Sequence, residues 1–192
     1  MTTSLRLVVA LSGNNTNIGL RLLTTLNFLG VETHLIIDKD NLTAPDSARI
    51  EEKTRELKII SHLNSDLAAP IASGSYQFGG MIVVSCSKQR LRLLAQGYSN
   101  DLIGRVADVV LKENRVLVLS ISEELLLEED LRNLLILSKA GVKIVPLLPI
   151  FYDFSMDMDQ SLNQIIGRIM DRFGLEHNLY KPWDPRSVKN NK

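Results

Sequence analysis

Apolar runs broken by short polar loops alternate along this chain between a continuous, strand-like pattern and a helical one. Residues 5–11 form an apolar run that stops at Ser12-Gly13-Asn14-Asn15-Thr16-Asn17, a string of turn formers and helix caps. Residues 18–29 then repeat leucine at helical spacing through Leu22, Leu23 and Leu26, and Gly30 ends the repeat. Residues 31–37 are a second strand, closed by Asp38-Lys39-Asp40-Asn41. Strand, polar loop, helix, glycine and strand make a βαβ unit, right-handed by the general rule for such crossovers, and its first loop is a natural seat for a phosphate.

Residues 44–57 are polar and predict an exposed helix, and residues 59–63 predict a short edge strand. Met81-Ile82-Val83-Val84 is apolar on both faces and ends abruptly in Ser85-Cys86-Ser87, which is how a central parallel strand reads where it opens onto a site. Just upstream, Ala72-Ser73-Gly74-Ser75 offers hydroxyls and a flexible backbone for a phosphate cradle. Helices follow over 89–97 and 100–111, the second with Leu102, Ile103, Val106, Val109 and Val110 on one face. A strand over 116–121 ends at Ser122-Glu123-Glu124; then come an amphipathic helix over 125–140, a last core strand over 142–148 and a closing helix over 161–173. At least four strands separated by helices, without a repeat or a low-complexity linker, predict one doubly wound α/β domain over residues 1–192, its central sheet mostly parallel, with a polar tail from about 178.

Composition removes several function classes. Lys and Arg number 22 against 22 Asp and Glu, so nothing in the charge balance suits nucleic acid or an anionic membrane. The single cysteine, Cys86, excludes an internal disulfide and fits a reducing compartment. No apolar run approaches the roughly 18 residues that span a bilayer, and the start shows no secretory pattern, so a soluble cytoplasmic protein is expected. The three histidines, His34, His62 and His177, lack metal-ligand spacing, and neither a Gly-x-Ser-x-Gly elbow nor a Walker-type loop is present.

Several segments together resemble the UbiX-type flavin prenyltransferases: Ser12-Gly13, the run 72–76, the Cys86-Ser87 hinge, residues 100–113 with Ala107-Asp108-Val109-Val110-Leu111-Lys112-Glu113, Pro149-Ile150-Phe151-Tyr152 and the closing helix with Arg168. The resemblance spans residues 5–183 and implies a flavodoxin-like, Rossmann-related subunit in a trimer-based homo-oligomer, often a dodecamer, with FMN at subunit interfaces and no metal. The implied reaction joins the dimethylallyl group of dimethylallyl phosphate to reduced FMN, making prenylated FMN for a UbiD-type decarboxylase. By the same resemblance Gly13, Asn14, Asn15, Asp38, Cys86, Ser87, Lys88, Gln89 and Ser122 fall in the flavin site. Ser75, Arg105 and Lys112 fall at the reacting end, Glu123 moves protons, Tyr152 and Arg168 hold the allylic phosphate, and Trp183 lies near the active site.

The chain also departs from the family. Gly13-Asn14-Asn15-Thr16-Asn17 replaces the usual Gly-Ala-Ser-Gly, Asp38 stands where a serine is expected, Arg90 where a threonine is usual, and Ser122 where an arginine precedes the glutamate. An acid at 38 would repel a phosphate. These departures keep open a paralogue that binds flavin or another nucleotide as a carrier or a decarboxylase-associated subunit; a flavin-dependent redox or cysteine-decarboxylating enzyme on the related fold would lack a histidine at the strand end. Residue type alone also allows Cys86 as a buried small hydrophobe, Glu123 as a helix-start acid, Trp183 as a core cap and the asparagines as turn formers.

Overall fold

The computed structural model describes residues 5–13, 15–39, 42–121, 126–147 and 157–181. Strands β1 (Arg6–Leu11), β2 (Glu32–Ile37), β3 (Ile60–Leu63), β4 (Gly80–Val84), β5 (Val116–Ile121) and β6 (Lys143–Pro146) form one sheet in the order β3-β2-β1-β4-β5-β6. Every pairing is parallel. Between them lie α1 (Thr16–Phe28), α2 (Ala44–Glu56), α3 (Lys88–Ala95), α4 (Leu102–Lys112) and α5 (Glu128–Lys139), and α6 (Met158–Asp171) follows β6.

The continuous apolar runs become the central strands because both faces of the sheet are covered. Val8, Ala10, Met81 and Val83 pack with Leu102, Ile103, Val106 and Val110 on the α3–α5 side. Leu7, Val9, Ile82 and Val84 pack with Leu22, Leu23, Leu26, Ile166 and Ile169 on the α1–α6 side. Each such Val, Leu, Ile or Met side chain contributes about 1.5–3 kcal/mol of hydrophobic stabilisation by leaving water. The polar helix α2 buries only Ile50 and Thr54, as its charge pattern requires.

One expectation is refined: Val142 and Val145 are buried in the core, but β6 spans only Lys143–Pro146 and is the outer strand among the described ones, with Lys143 and Pro146 exposed. As expected of a mostly parallel sheet, every pairing between described strands is parallel, since each connection crosses over. The order in which strands are added reverses around β1: β2 and β3 lie to one side and β4 on the other, so the switch point of the sheet lies between the carboxyl ends of β1 and β4.

Candidate functional site

At that switch point the backbones of the two strand ends touch. A Cβ on Gly13 would lie 1.9 Å from the Ser85 carbonyl oxygen, so no other residue fits the corner. Ser85 takes a left-handed conformation (φ 50°), unusual for a residue with a side chain. Ser120 of β5 holds it there: the Ser85 N–H donates to Ser120 Oγ at 3.0 Å, and the Cys86 N–H donates to the Ser120 carbonyl at 2.8 Å. Burial pushes the Cys86 thiol up to about 12, against the opposing pull of Arg90 and Ser12, so it stays protonated and is no nucleophile. Among the described residues the buried Ser85 hydroxyl has no hydrogen-bond partner, and that of Ser12 has only the weak Cys86 thiol beside it. Polar atoms left so are costly, and a bound molecule with donors and acceptors at this corner would satisfy them.

Two departures from the family pattern turn out to be partners. Arg90 Nη2 donates to Asp38 Oδ2 at 2.6 Å, and Arg90 Nη1 donates to Asp101 Oδ2 at 2.6 Å, with Asp38 and Arg90 both buried. Asp101 caps α4 through the Gly104 N–H at 2.8 Å and accepts from Asn64 Nδ2 at 3.2 Å; Asn64 in turn accepts from the Ile103 N–H. The carboxylate at 38 is thus not bare: it is paired with Arg90, which it shares with Asp101. Both carboxylates line a cleft of about 880 Å³, shared with Thr54, His62 and Asn64, between the ends of β2 and β3.

The remaining predicted residues divide between the two edges of the sheet. At the carboxyl edge Ser87 caps α3, its hydroxyl accepting from the Arg90 N–H at 3.2 Å. Lys88 lies 3.7 Å from the buried Asp130 of α5, Gln89 is exposed, and Asn15 caps α1 with its backbone rather than its side chain. Arg105 is exposed in the first half of α4. Ser75, by contrast, precedes β4 and sits exposed at the amino edge, bonded to Ser73, in a loop whose Gly74 and Tyr76 carbonyls are held by Arg115. Lys112 ends α4 at that same edge, paired with Asp108 at 2.7 Å. Arg168 is exposed near the end of α6, whose following Phe173 reaches the start of β4. Within one chain the cradle at 72–75 does not join the Cys86 hinge, because β4 separates them by roughly 16 Å, five residues at about 3.3 Å each. Asn14, Ser122, Glu123, Tyr152 and Trp183 lie outside the described residues.

The histidines hold a further surprise. His34 Nδ1 lies 2.9 Å from His62 Nε2, their rings stacked across β2 and β3. His34 Nε2 also meets Glu32 at 3.2 Å and the Tyr76 hydroxyl at 3.1 Å, and Glu32 pairs with Arg6. Strand register, not sequence spacing, brings this pair together. Among the described residues no cluster of three His, Cys, Asp or Glu side chains suits a metal ion.

No protein-family model matches the chain. A probable UbiX-like flavin prenyltransferase of Escherichia coli O157:H7 is 40% identical over 186 residues, 93% of each protein. The chain belongs to the UbiX-like flavin prenyltransferases. The mitochondrial flavin prenyltransferase PAD1 of Saccharomyces cerevisiae is 39% identical over 93% of this chain and 75% of that one. Among solved structures, AnUbiX (PadA1) in complex with FMN and dimethylallyl pyrophosphate superposes with a TM-score of 0.82 at 36% identity, covering 94% and 98% of the two chains. The dodecameric FMN-dependent UbiX-like decarboxylase from Escherichia coli O157:H7 gives 0.83 at 37%, covering 94% and 100%. Likeness to an FMN-dependent cysteine decarboxylase, TvaF, at 16% identity shows the shared fold alone. The UbiX-like family thus accounts for the flavodoxin-like sheet.

Proposed function

We propose that this UbiX-like chain is a transferase that moves a dimethylallyl group from dimethylallyl phosphate onto reduced FMN, and that the prenylated FMN serves a UbiD-type decarboxylase. The observation that carries this reading is near-full-length identity at the 40% level to flavin prenyltransferases. The corner of Gly13, Ser12 and Ser85 supports it, because small residues and unsatisfied buried hydroxyls suit a flat, polar ring system. Bound there, reduced FMN would supply the nucleophilic atoms N5 and C6. Asp38, one of the departures behind the carrier reading, is paired with Arg90 rather than bare, which weakens that reading.

In this reading Ser12, Gly13, Ser85 and Ser87 hold the flavin while Ser75, Arg105, Lys112, Tyr152 and Arg168 bind the allylic phosphate. Cations and hydroxyls on that phosphate stabilise the charge it gains as the carbon–oxygen bond breaks. Glu123 holds the proton lost on ring closure, and Trp183 walls the allyl group from water. Since Ser75, Lys112 and Arg168 lie at the amino edge, neighbouring copies supply them to a flavin held at the carboxyl edge. A homo-oligomer, trimer-based and up to a dodecamer, follows, and the exposed stripe Leu127, Leu131 and Leu135 on and beside α5 supplies apolar surface for a second copy. No described helix is long and apolar enough to cross a membrane. A zero net charge and one buried cysteine fit the cytoplasm as its place of work. The test is anaerobic incubation with reduced FMN and dimethylallyl phosphate, followed by mass analysis of the flavin. A gain of one prenyl group is expected; unaltered flavin at full protein loading overturns the assignment.

A further inference from the structure

Beyond α6 the chain turns back at Gly174 (φ 64°), and residues 175–181 lie against the helix just left, with Leu175 and Leu179 packed on the α1–α6 side of the core. Two side chains of this strap meet Asp171. His177 Nε2 lies 3.1 Å from Asp171 Oδ1 and 3.0 Å from the Gly167 carbonyl oxygen, while its Nδ1 accepts from the Leu179 N–H at 3.3 Å. With Nδ1 an acceptor and two oxygens facing Nε2, the ring proton sits on Nε2, which donates to both. The Tyr180 hydroxyl donates to the other oxygen, Asp171 Oδ2. Both oxygens of that carboxylate are thus engaged by the strap.

Arg168 stands three residues before Asp171, a spacing at which arginine and carboxylate pair along a helix. Asp171 is also the one acid within four residues of Arg168 in either direction, and so the nearest competitor for its guanidinium in the sequence. Yet Arg168 is exposed and, among the described residues, takes no carboxylate partner. It is not far away: its charge opposes the rise that the bond to Asp171 produces in the Tyr180 phenol. We propose that His177 and Tyr180 are positioning residues for the transfer reaction, occupying Asp171 so that the Arg168 guanidinium stays free for the allylic phosphate of the substrate. The inference rests on the reading of Arg168 given above. Gly167 makes the arrangement possible, because a Cβ there would lie 2.5 Å from the Tyr180 ring and 2.9 Å from His177. The tie from His177 to the Gly167 carbonyl also fixes the peptide group that leads into Arg168. Without the strap, Asp171 would draw Arg168 back along the helix, and a phosphate would have to break that pair before binding.

The experiment measures kcat and KM for dimethylallyl phosphate, at saturating reduced FMN, in the full chain and in Arg168→Ala, Tyr180→Phe and the double variant Tyr180→Phe/Asp171→Asn. Tyr180→Phe frees Asp171 Oδ2 to take Arg168. It is expected to raise KM about three- to fivefold, as far as a partly exposed ion pair can compete, with kcat changed by less than about twofold. The double variant is expected to bring KM back to within about 1.5-fold of wild type, because an amide at 171 carries no charge to hold the guanidinium. A strap that only braced the tail would behave in the opposite way, since weakening a second tie would add to the damage. An unaltered KM in Tyr180→Phe, or a KM in the double variant as high as in the single one, would overturn the proposal. FMN binding shows that each variant is folded. If Arg168→Ala leaves KM unaltered, the phosphate role of Arg168 falls and this inference with it; if Arg168→Ala raises KM while Tyr180→Phe does not, only this inference falls.

Discussion

His34 is buried on β2, and burial is the main reason its imidazolium is disfavoured, although Glu32 partly opposes this. His62 is lowered too, first by burial and then by the charge of His34, with Asp66 opposing. One ring must donate and the other accept across their 2.9 Å contact, so a second proton breaks the pair. Both folded values lie below the unfolded one, so the unfolded chain binds more protons once pH falls below about 6.5. Stability is therefore present above that value and is lost on acidification. Urea unfolding at pH 7.5 and 5.5 should show the loss, and His62→Gln should roughly halve the difference; an undiminished pH dependence would place the acid sensitivity elsewhere. Such pairings explain what could not be read at this scale. Asp38 and Arg90 each stood out as departures, yet they are 52 residues apart, and only the fold shows that the two oddities cancel. Cys86 could be read from residue type alone, because a lone thiol at a strand end is most often buried.

The closing helix shows what packing adds to an element. Gly167 of α6 is covered by the returning chain: a Cβ there would lie 2.5 Å from the Tyr180 ring and 2.9 Å from His177. His177 bonds the Gly167 carbonyl, and the Tyr180 hydroxyl donates to Asp171. Gly167→Ala gains about 1 kcal/mol of helix propensity but forces the ring away, at a typical overpacking cost of about 1–3 kcal/mol. The expected net is a loss of about 1 kcal/mol in unfolding free energy, with faster proteolysis after residue 176; a stabilised variant would show that the tail rests only loosely on α6. Helices and inner strands were legible because hydrophobic period and strong punctuation agreed, as at Gly30 and Gly141. The rank of a strand within the sheet was not: Val142 and Val145 are core, and only the strand order places β6 outermost among the described strands. Helix starts shifted by two or three residues where polar first turns, such as Glu128-Glu129-Asp130, hide the onset.

At the scale of the molecule the family and the doubly wound sheet could both be read from the chain, whereas the placing of Ser75 and Cys86 at opposite edges of the sheet could not. Linear order places Ser75 only eleven residues before Cys86, and they look like neighbours until β4 is drawn between them. If the flavin seat of one copy is completed by the amino edge of another, no subunit owns a whole site, and two different lesions need not fall in the same one. A chain carrying Ser75→Ala and Arg168→Ala spoils the donor edge, and a chain carrying Gly13→Val spoils the flavin corner. Each is expected to be inactive when pure. Unfolded, mixed and reassembled, the two should regain a fraction of wild-type turnover, because some junctions then join an intact corner to an intact edge. Absence of any regain, with mixed particles confirmed by mass, would mean that each chain works alone. If the mixture regains turnover, the working unit of this protein is a junction between chains, and one intact corner and one intact edge suffice to build it.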